Sequence, residues 1–263
     1  MDLGIKGKVA FVAAASRGLG KAVAAELAAE GCSVVLCARG EDALATTCKD
    51  LARIHGDRIL GLTCDVSDPD AVGRTVNAGI DRFGQIDILV TNAGGPPSGR
   101  FEALDNVAWE NATRLTLGSV VELCRAVVPG MKERRWGRIL NITSIAVKQP
   151  IANLMLSNSL RAAVTGFART LANELAPDGI TVNNILPGYT RTERLEELAR
   201  SLASGDKNAP TTIYEKWENE IPMKRIGEPH EFAAMAAFLV SARDSYITGT
   251  SVTVDGGWVQ SLL

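Results

Sequence analysis

Seven short apolar runs, each parted from the next by a stretch with helical character, constrain this chain more than any other feature. They fall at residues 8–14, 33–38 (SVVLCA), 58–63, 86–91 (IDILVT), 137–143 (GRILNIT), 180–186 (ITVNNIL) and 251–254. The runs are continuously apolar rather than alternating, which is the pattern of strands covered on both faces. Between them lie an Ala-rich stretch at 21–30 stopped by Gly31, an amphipathic stretch at 41–54, and a helix at 70–83 introduced by Pro69. Two long helical regions follow at 105–132 and 151–175, and a last helix at 228–241. Strands separated by helices of this length run parallel and are joined by right-handed crossovers. The expectation is an α/β chain with a doubly wound sheet of about seven parallel strands flanked by helices.

The 263 residues contain no Pro/Gly/Ser-rich linker and no repeat at solenoid spacing, so residues 1–263 are expected to form a single domain. Only between 190 and 225 does the pattern loosen into polar, charged sequence. That stretch is expected to be a substrate lid, turning at Gly205-Asp206. Its cations, Lys207 among them, are offset by acids that include Glu193 and Glu197, so no surface for an acidic carrier is indicated. The whole chain balances 28 Lys and Arg against 30 Asp and Glu, which argues against a nucleic-acid partner. No 18-residue apolar stretch exists, so no membrane span is expected. Five Cys without a CxxC pair, and two His, do not make a metal framework. Buried free thiols and a reduced, cytoplasmic setting are expected instead.

The first strand runs into AAASRGLG, residues 13–20, which opens the first helix. Gly18 and Gly20 let a ligand approach the backbone, and the helix N-terminus offers free N–H groups to a pyrophosphate. Two glycines alone are weak evidence, since a plain tight turn without a ligand also accounts for them; the strand–turn–helix order favours a Rossmann-type nucleotide site. The second strand ends in Ala38-Arg39-Gly40, where an acidic residue would accept bonds from ribose hydroxyls. Arg39 and Arg17 instead supply two guanidinium forks suited to a 2′-phosphate. The reading is NADP(H), with NAD(H) as the alternative should either arginine be a solvated surface charge.

With these residues the chain resembles the short-chain dehydrogenase/reductase family, particularly its 3-oxoacyl-carrier-protein-reductase-like members, over nearly its whole length. AAASRGLG is similar to TGxxxGxG, Asp65-Val66 to the acidic residue that holds the adenine, and Asn92-Ala93-Gly94 to the motif after the fourth strand. Ser144 resembles the catalytic serine, ITVNNILPG the nicotinamide-side strand, and VTVDGG the C-terminal signature. The resemblance implies cofactor contacts from Ala14, Ser16, Arg17, Gly18, Leu19, Gly20, Arg39, Asp65, Val66, Asn92, Ala93, Gly94, Arg161, Pro187, Gly188, Thr190 and Thr192. It implies a catalytic set at the positions of Ser144, Ser157, Arg161 and Thr116, with no metal, to which Tyr189 is added as a substitute on its place directly after Pro187-Gly188. The substrate class it implies is a ketone, either a small molecule or a 3-oxoacyl thioester, reduced to the alcohol. It also implies a homotetramer, or alternatively a homodimer, assembled through helices 105–132 and 151–175 and the 252–258 end.

Three departures from the family pattern bear on chemistry. Ala14 replaces the first glycine and adds one methyl, a change compatible with binding. Thr116 stands where the family places an asparagine. Ser157 and Arg161, in SNSLR, stand where the family has the Tyr and Lys of YxxxK. The i,i+4 spacing keeps both side chains on one helix face. A serine hydroxyl is a far weaker acid than a phenol, and a guanidinium is not a general acid at neutral pH. Tyr189 is the preferred substitute proton donor, with Lys148 or water as alternatives. A catalytically impaired nucleotide-binding or scaffold protein, or a non-redox enzyme using the same pocket, remains the competing reading.

Overall fold

The computed structural model describes residues 2–202 and 209–262. It is a single α/β domain built on a seven-stranded, all-parallel sheet in the order β3-β2-β1-β4-β5-β6-β7. The strands are β1 Val9–Val12, β2 Ser33–Ala38, β3 Ile59–Thr63, β4 Ile88–Thr91, β5 Gly137–Ile142, β6 Ile180–Pro187 and β7 Ser251–Val254. The first three crossover helices are α1 Gly18–Ala29, α2 Glu41–His55 and α3 Pro69–Phe83. Asp68 caps α3 by accepting the Asp70 N–H, and Pro69 occupies the first turn, where its missing N–H costs nothing.

Successive strand residues point to opposite sides, so one short sheet supplies two cores. Val12, Leu36 and Leu140 face Leu27 of α1 and Phe232 of α9 Pro229–Leu239. Phe11, Val35, Leu89 and Ile139 face the layer that holds Val76, Leu123 and Met131. The buried strands are mostly apolar because neither face meets water, with Thr91, Asn141 and Asn184 among the exceptions.

Three expectations change in detail. The 105–132 region is not one helix: α4 Asn106–Thr113 passes through a π-helical turn, Arg114–Gly118, into α5 Ser119–Arg134. The 151–175 helix begins four residues late, as α6 Met155–Leu175, after a loop in which Asn153 takes a positive φ of 61°. The 190–225 stretch is helical rather than loose, with α7 Glu193–Leu202 and α8 Ala209–Glu220. Its few apolar residues Leu195, Ala199, Trp217 and Ile221 form a satellite core with Ile226 just beyond it, a sparse stripe that charged neighbours mask in the sequence. The expected turn at Gly205-Asp206, with Lys207, lies outside the described residues. The five cysteines are free, and Cys32, Cys37, Cys64 and Cys124 are buried. Among the described residues no helix is long and apolar enough to cross a membrane.

Candidate active site

The strand order reverses between β1 and β4, and the crevice at their carboxyl ends is where doubly wound sheets bind ligands. The turn after β1 is fixed from three sides. The Ala13 N–H donates to Val90 O and the Ala15 N–H to Cys37 O, both at 3.0 Å. Thr47 Oγ1 of α2 donates to Ser16 O at 2.8 Å. Gly18 lies at φ +57°, and a Cβ at Gly20 would run into the Ala14 carbonyl oxygen. The backbone therefore requires glycine at 20 and favours it at 18.

Ala14 sits at φ +49°, in the left-handed region where an L side chain is strained. The departure at this position is thus conformational and not only one of added volume. Asn92 Nδ2 donates to the Ala14 carbonyl at 3.4 Å and ties the turn to the end of β4. Arg17 is the extended N-cap of α1 and gives the helix no side-chain cap, leaving the first-turn N–H groups available to an anion.

One side of the crevice is formed by the ends of β2 and β3. The exposed Arg39 guanidinium reaches to 3.9 Å from where a side chain at Gly94 would begin. Burial pushes the Asp65 carboxyl up. Bonds from the Ser67 N–H at 2.9 Å and Ser67 Oγ at 2.8 Å, with Arg39 nearby, more than offset this and hold it below its ordinary range. The chain thus presents an ionised acceptor at 65 and cations at 17 and 39, with Val66 buried between β3 and α3. Arg17 pairs at 3.9 Å with Glu197 of α7, which also pairs with Arg194 at 3.7 Å.

Another side of the crevice is built by β5 and α6. Ser144 follows β5 in extended conformation, and its Oγ accepts the Ala146 N–H at 3.1 Å, which starts a short turn ending at Lys148. Arg161 turns back toward the β5 end. Its Nε donates to Ser157 Oγ at 3.2 Å, and its Nη1 to the Ile142 and Thr143 carbonyls at 3.1 and 2.8 Å. Burial lowers the guanidinium to about 10, which still leaves it charged at neutral pH. Ser157 is therefore an acceptor fixed by a cation, and the pair acts as one unit across the i,i+4 face.

Beside Arg161 lies a cavity of about 10 Å³, the size of one water, lined by Asn92, Gly94, Thr116, Thr143 and Val164. The Thr116 and Thr143 hydroxyls are buried there without a hydrogen-bond partner. Thr116 reaches this place because it stands in the π-helical turn, which widens the helix locally. Sequence reasoning missed Thr143, whose only signal was its position next to Ser144. It also missed a polar ladder below the site. Thr91 Oγ1 donates to Asn141 Oδ1 at 2.7 Å, Asn141 Nδ2 to Asn184 Oδ1 at 3.1 Å, and Asn184 Nδ2 to Ser251 Oγ at 3.1 Å. Polar residues within otherwise apolar strands were the available signal.

The remaining wall comes from the end of β6. Gly188 is pressed on Asp255, whose Cβ lies 2.6 Å from where a Gly188 side chain would begin. Thr190 is buried, and Thr192 lies 3.7 Å from the corresponding point on Gly18, so the chain after Pro187-Gly188 returns to the first turn. Tyr189 stacks on Trp217 with centroids 4.9 Å apart and meets Trp258 edge-on at 6.0 Å. Burial, then Glu220, pushes its phenol above its ordinary value. Opposite, Pro96 is buried and the Gly99 N–H donates to Asn153 O at 2.7 Å, clipping the 94–99 loop to the start of α6. The fixed glycine turn, the uncapped helix end and the two arginines fit a phosphorylated dinucleotide. Among the described residues no group of three or more His, Cys, Asp or Glu could hold a metal.

A family model described as Enoyl-(Acyl carrier protein) reductase matches residues 13–259. The chain belongs to the short-chain dehydrogenase/reductase family. This oxidoreductase is 37% identical over 252 residues to a putative ketoacyl reductase of the monensin polyketide synthase from Streptomyces virginiae, covering 95% of this chain and 96% of that one. It is 33% identical over 255 residues to a 3-oxoacyl-[acyl-carrier-protein] reductase from Vibrio cholerae, covering 97% and 98%. A crystal structure of L-sorbose reductase from Gluconobacter frateurii, complexed with NADPH and L-sorbose, superposes with a TM-score of 0.95 at 35% identity, over 100% of both chains.

Proposed function

We propose that this short-chain dehydrogenase/reductase binds NADP(H) in preference to NAD(H) and reduces a ketone, of the small-molecule or 3-oxoacyl-thioester class, to the alcohol. The observation that carries this reading is the placement of a charged Arg161 and Ser144 at the end of β5, in the crevice that the glycine turn and Arg17 open. The α1 N-terminus with Ser16, Leu19 and Gly20 would cradle the pyrophosphate. Arg17 and Arg39 would take the 2′-phosphate, Asp65 and Val66 the adenine, and Asn92, Ala93 and Gly94 the adenosine side. Pro187, Gly188, Thr190 and Thr192 would hold the nicotinamide end. When bound, the nicotinamide supplies a hydride equivalent, and the protein supplies orientation and polarisation.

Ser144 Oγ, already an acceptor from the Ala146 N–H, has its own proton to donate to a carbonyl oxygen. Arg161 places a fixed positive charge in the buried crevice, where it favours charge developing on that oxygen and can donate to ribose hydroxyls. Thr116 and Thr143 line the water-sized cavity beside it and offer hydroxyls for proton relay. Burial pushes the Tyr189 phenol above its ordinary value, so it holds its proton at neutral pH but gives it up less readily than a free phenol, and its assignment as donor rests on its place after Pro187-Gly188. The clipped 94–99 loop bounds the substrate space, and α7 with α8 closes it as a lid. The assembly in this reading is a homotetramer built on the long-helix faces, with a homodimer as the alternative. Five free thiols suit a reducing, cytoplasmic setting.

The engagement of Ser157 by Arg161 favours one second reading, a nucleotide-binding protein with impaired chemistry. Fluorescence titration with NADPH and NADH, followed by 340 nm absorbance over a ketone panel that includes acyl thioesters, separates the two. Turnover with any ketone supports the reductase. Tight NADPH binding without turnover supports the binding protein, and failure to bind either nucleotide sinks the site around Gly18.

A further inference from the structure

The α7 helix is aimed at the phosphate end of the crevice with its acidic side. Glu193 and Glu197 are four residues apart and share one helix face. Glu193 Oε2 lies 3.9 Å from the point where a side chain at Gly18 would begin, directly over the left-handed turn. One helical turn on, Glu197 reaches Arg17 at 3.9 Å and Arg194 at 3.7 Å. Two carboxylates thus face the uncapped N-terminus of α1 and the cation beside it, the groups that would meet cofactor phosphate.

We infer that Glu197 is a specificity-determining residue, an internal counter-ion that competes with the cofactor's ribose 2′-phosphate for Arg17. This rests on the reading that Arg17 meets that phosphate. A guanidinium that serves the phosphate gives up Glu197, so the carboxylate lowers affinity for the 2′-phosphorylated cofactor while leaving the unphosphorylated one untouched. It thereby narrows the preference that Arg17 and Arg39 create. The same exchange links the lid to cofactor type, since the phosphate takes the cation that holds α7 on the first turn. Both partners of the pair are largely exposed, with side-chain exposures of 66% and 47%, so the effect is modest and screened by salt.

The experiment is a titration of the full-length chain with NADPH, NADH and adenosine 2′,5′-bisphosphate, read by fluorescence and calorimetry rather than by turnover. Glu197→Gln is expected to tighten NADPH and the bisphosphate by about two- to five-fold at low salt, with the gain shrinking as salt rises and NADH unchanged. In an Arg17→Ala background the same substitution is expected to have no effect. Unchanged NADPH affinity in Glu197→Gln, while Arg17→Ala weakens NADPH, would overturn the inference and leave the cofactor reading standing. Equal tightening of NADPH and NADH would also overturn it, by showing a general charge effect. If Arg17→Ala leaves NADPH binding unaltered, the assignment of Arg17 to the phosphate fails, and this inference with it.

Discussion

Arg161→Lys keeps the charge at the centre of the candidate site and removes only its shape. The guanidinium spans three acceptors: Ser157 Oγ at 3.2 Å through Nε, and the Ile142 and Thr143 carbonyls at 3.1 and 2.8 Å through Nη1. A lysine ammonium concentrates its donors at one atom, and so keeps one or two of these bonds and drops the rest. A lost bond from a charged donor is worth roughly 1.5–3 kcal/mol, so urea unfolding at pH 7 is expected to show a loss of about 3 kcal/mol. The pH dependence is the sharper readout. Burial brings Arg161 to about 10, so the native side chain is charged throughout pH 7 to 9. A lysine buried there is displaced downward from its ordinary value of about 10.4 and loses charge at lower pH than arginine does. The expected result is NADPH affinity that is flat over pH 7 to 9 in the native protein but weakens with rising pH in the variant. The stability deficit runs the other way. The cost of burying the cation is present below the folded-state pKa and relieved above it, so the deficit shrinks as pH rises. A variant with native stability and a flat binding profile would show that the fork geometry is immaterial.

Ala14→Gly relieves the left-handed strain at φ +49° and is expected to raise stability by about 1 kcal/mol, seen as a higher urea midpoint with unchanged slope. Asp244 is 1% exposed, its Oδ1 has no partner, and burial raises its carboxyl to about 7, with Arg138 only partly opposing. A carboxyl whose folded value lies above its unfolded value stabilises the fold below both and loses that contribution as pH rises through the folded value. Native stability is therefore expected to decline between pH 4 and 8 by no more than about 4 kcal/mol from this group, and Asp244→Asn to flatten the decline in denaturant titrations. Tyr189→Phe is expected to lower turnover at least ~100-fold with cofactor affinity retained, the size of a lost general acid. Undiminished turnover would leave Tyr189 as a wall residue against Trp217.

The parts of this protein that were legible in its sequence are those where local composition and burial agree. Continuous apolar runs bounded by turn residues gave every strand to within two residues, because parallel strands buried on both faces admit no polar alternation. The turn at 13–20 was legible because the backbone demands glycine at 20 and favours it at 18. What the sequence hid depends on contacts between distant segments. The strain at Ala14 is invisible in its identity, since alanine is at home in most conformations and only the close approach of Gly20 and Asn92 shows what the turn requires. The helices at 193–202 and 209–220 hold together through a few apolar residues that meet only once both are formed and Tyr189 and Trp258 pack against them. Arg161 shows the limit most clearly. Its identity argued against acid–base chemistry, but only the fold shows that the side chain binds Ser157 and two strand-end carbonyls. The replaced pair is therefore a connected cationic unit, and its chemistry has to be judged as a unit: a Ser157→Tyr substitution alone would displace the acceptor of Arg161 Nε without restoring a neighbouring lysine.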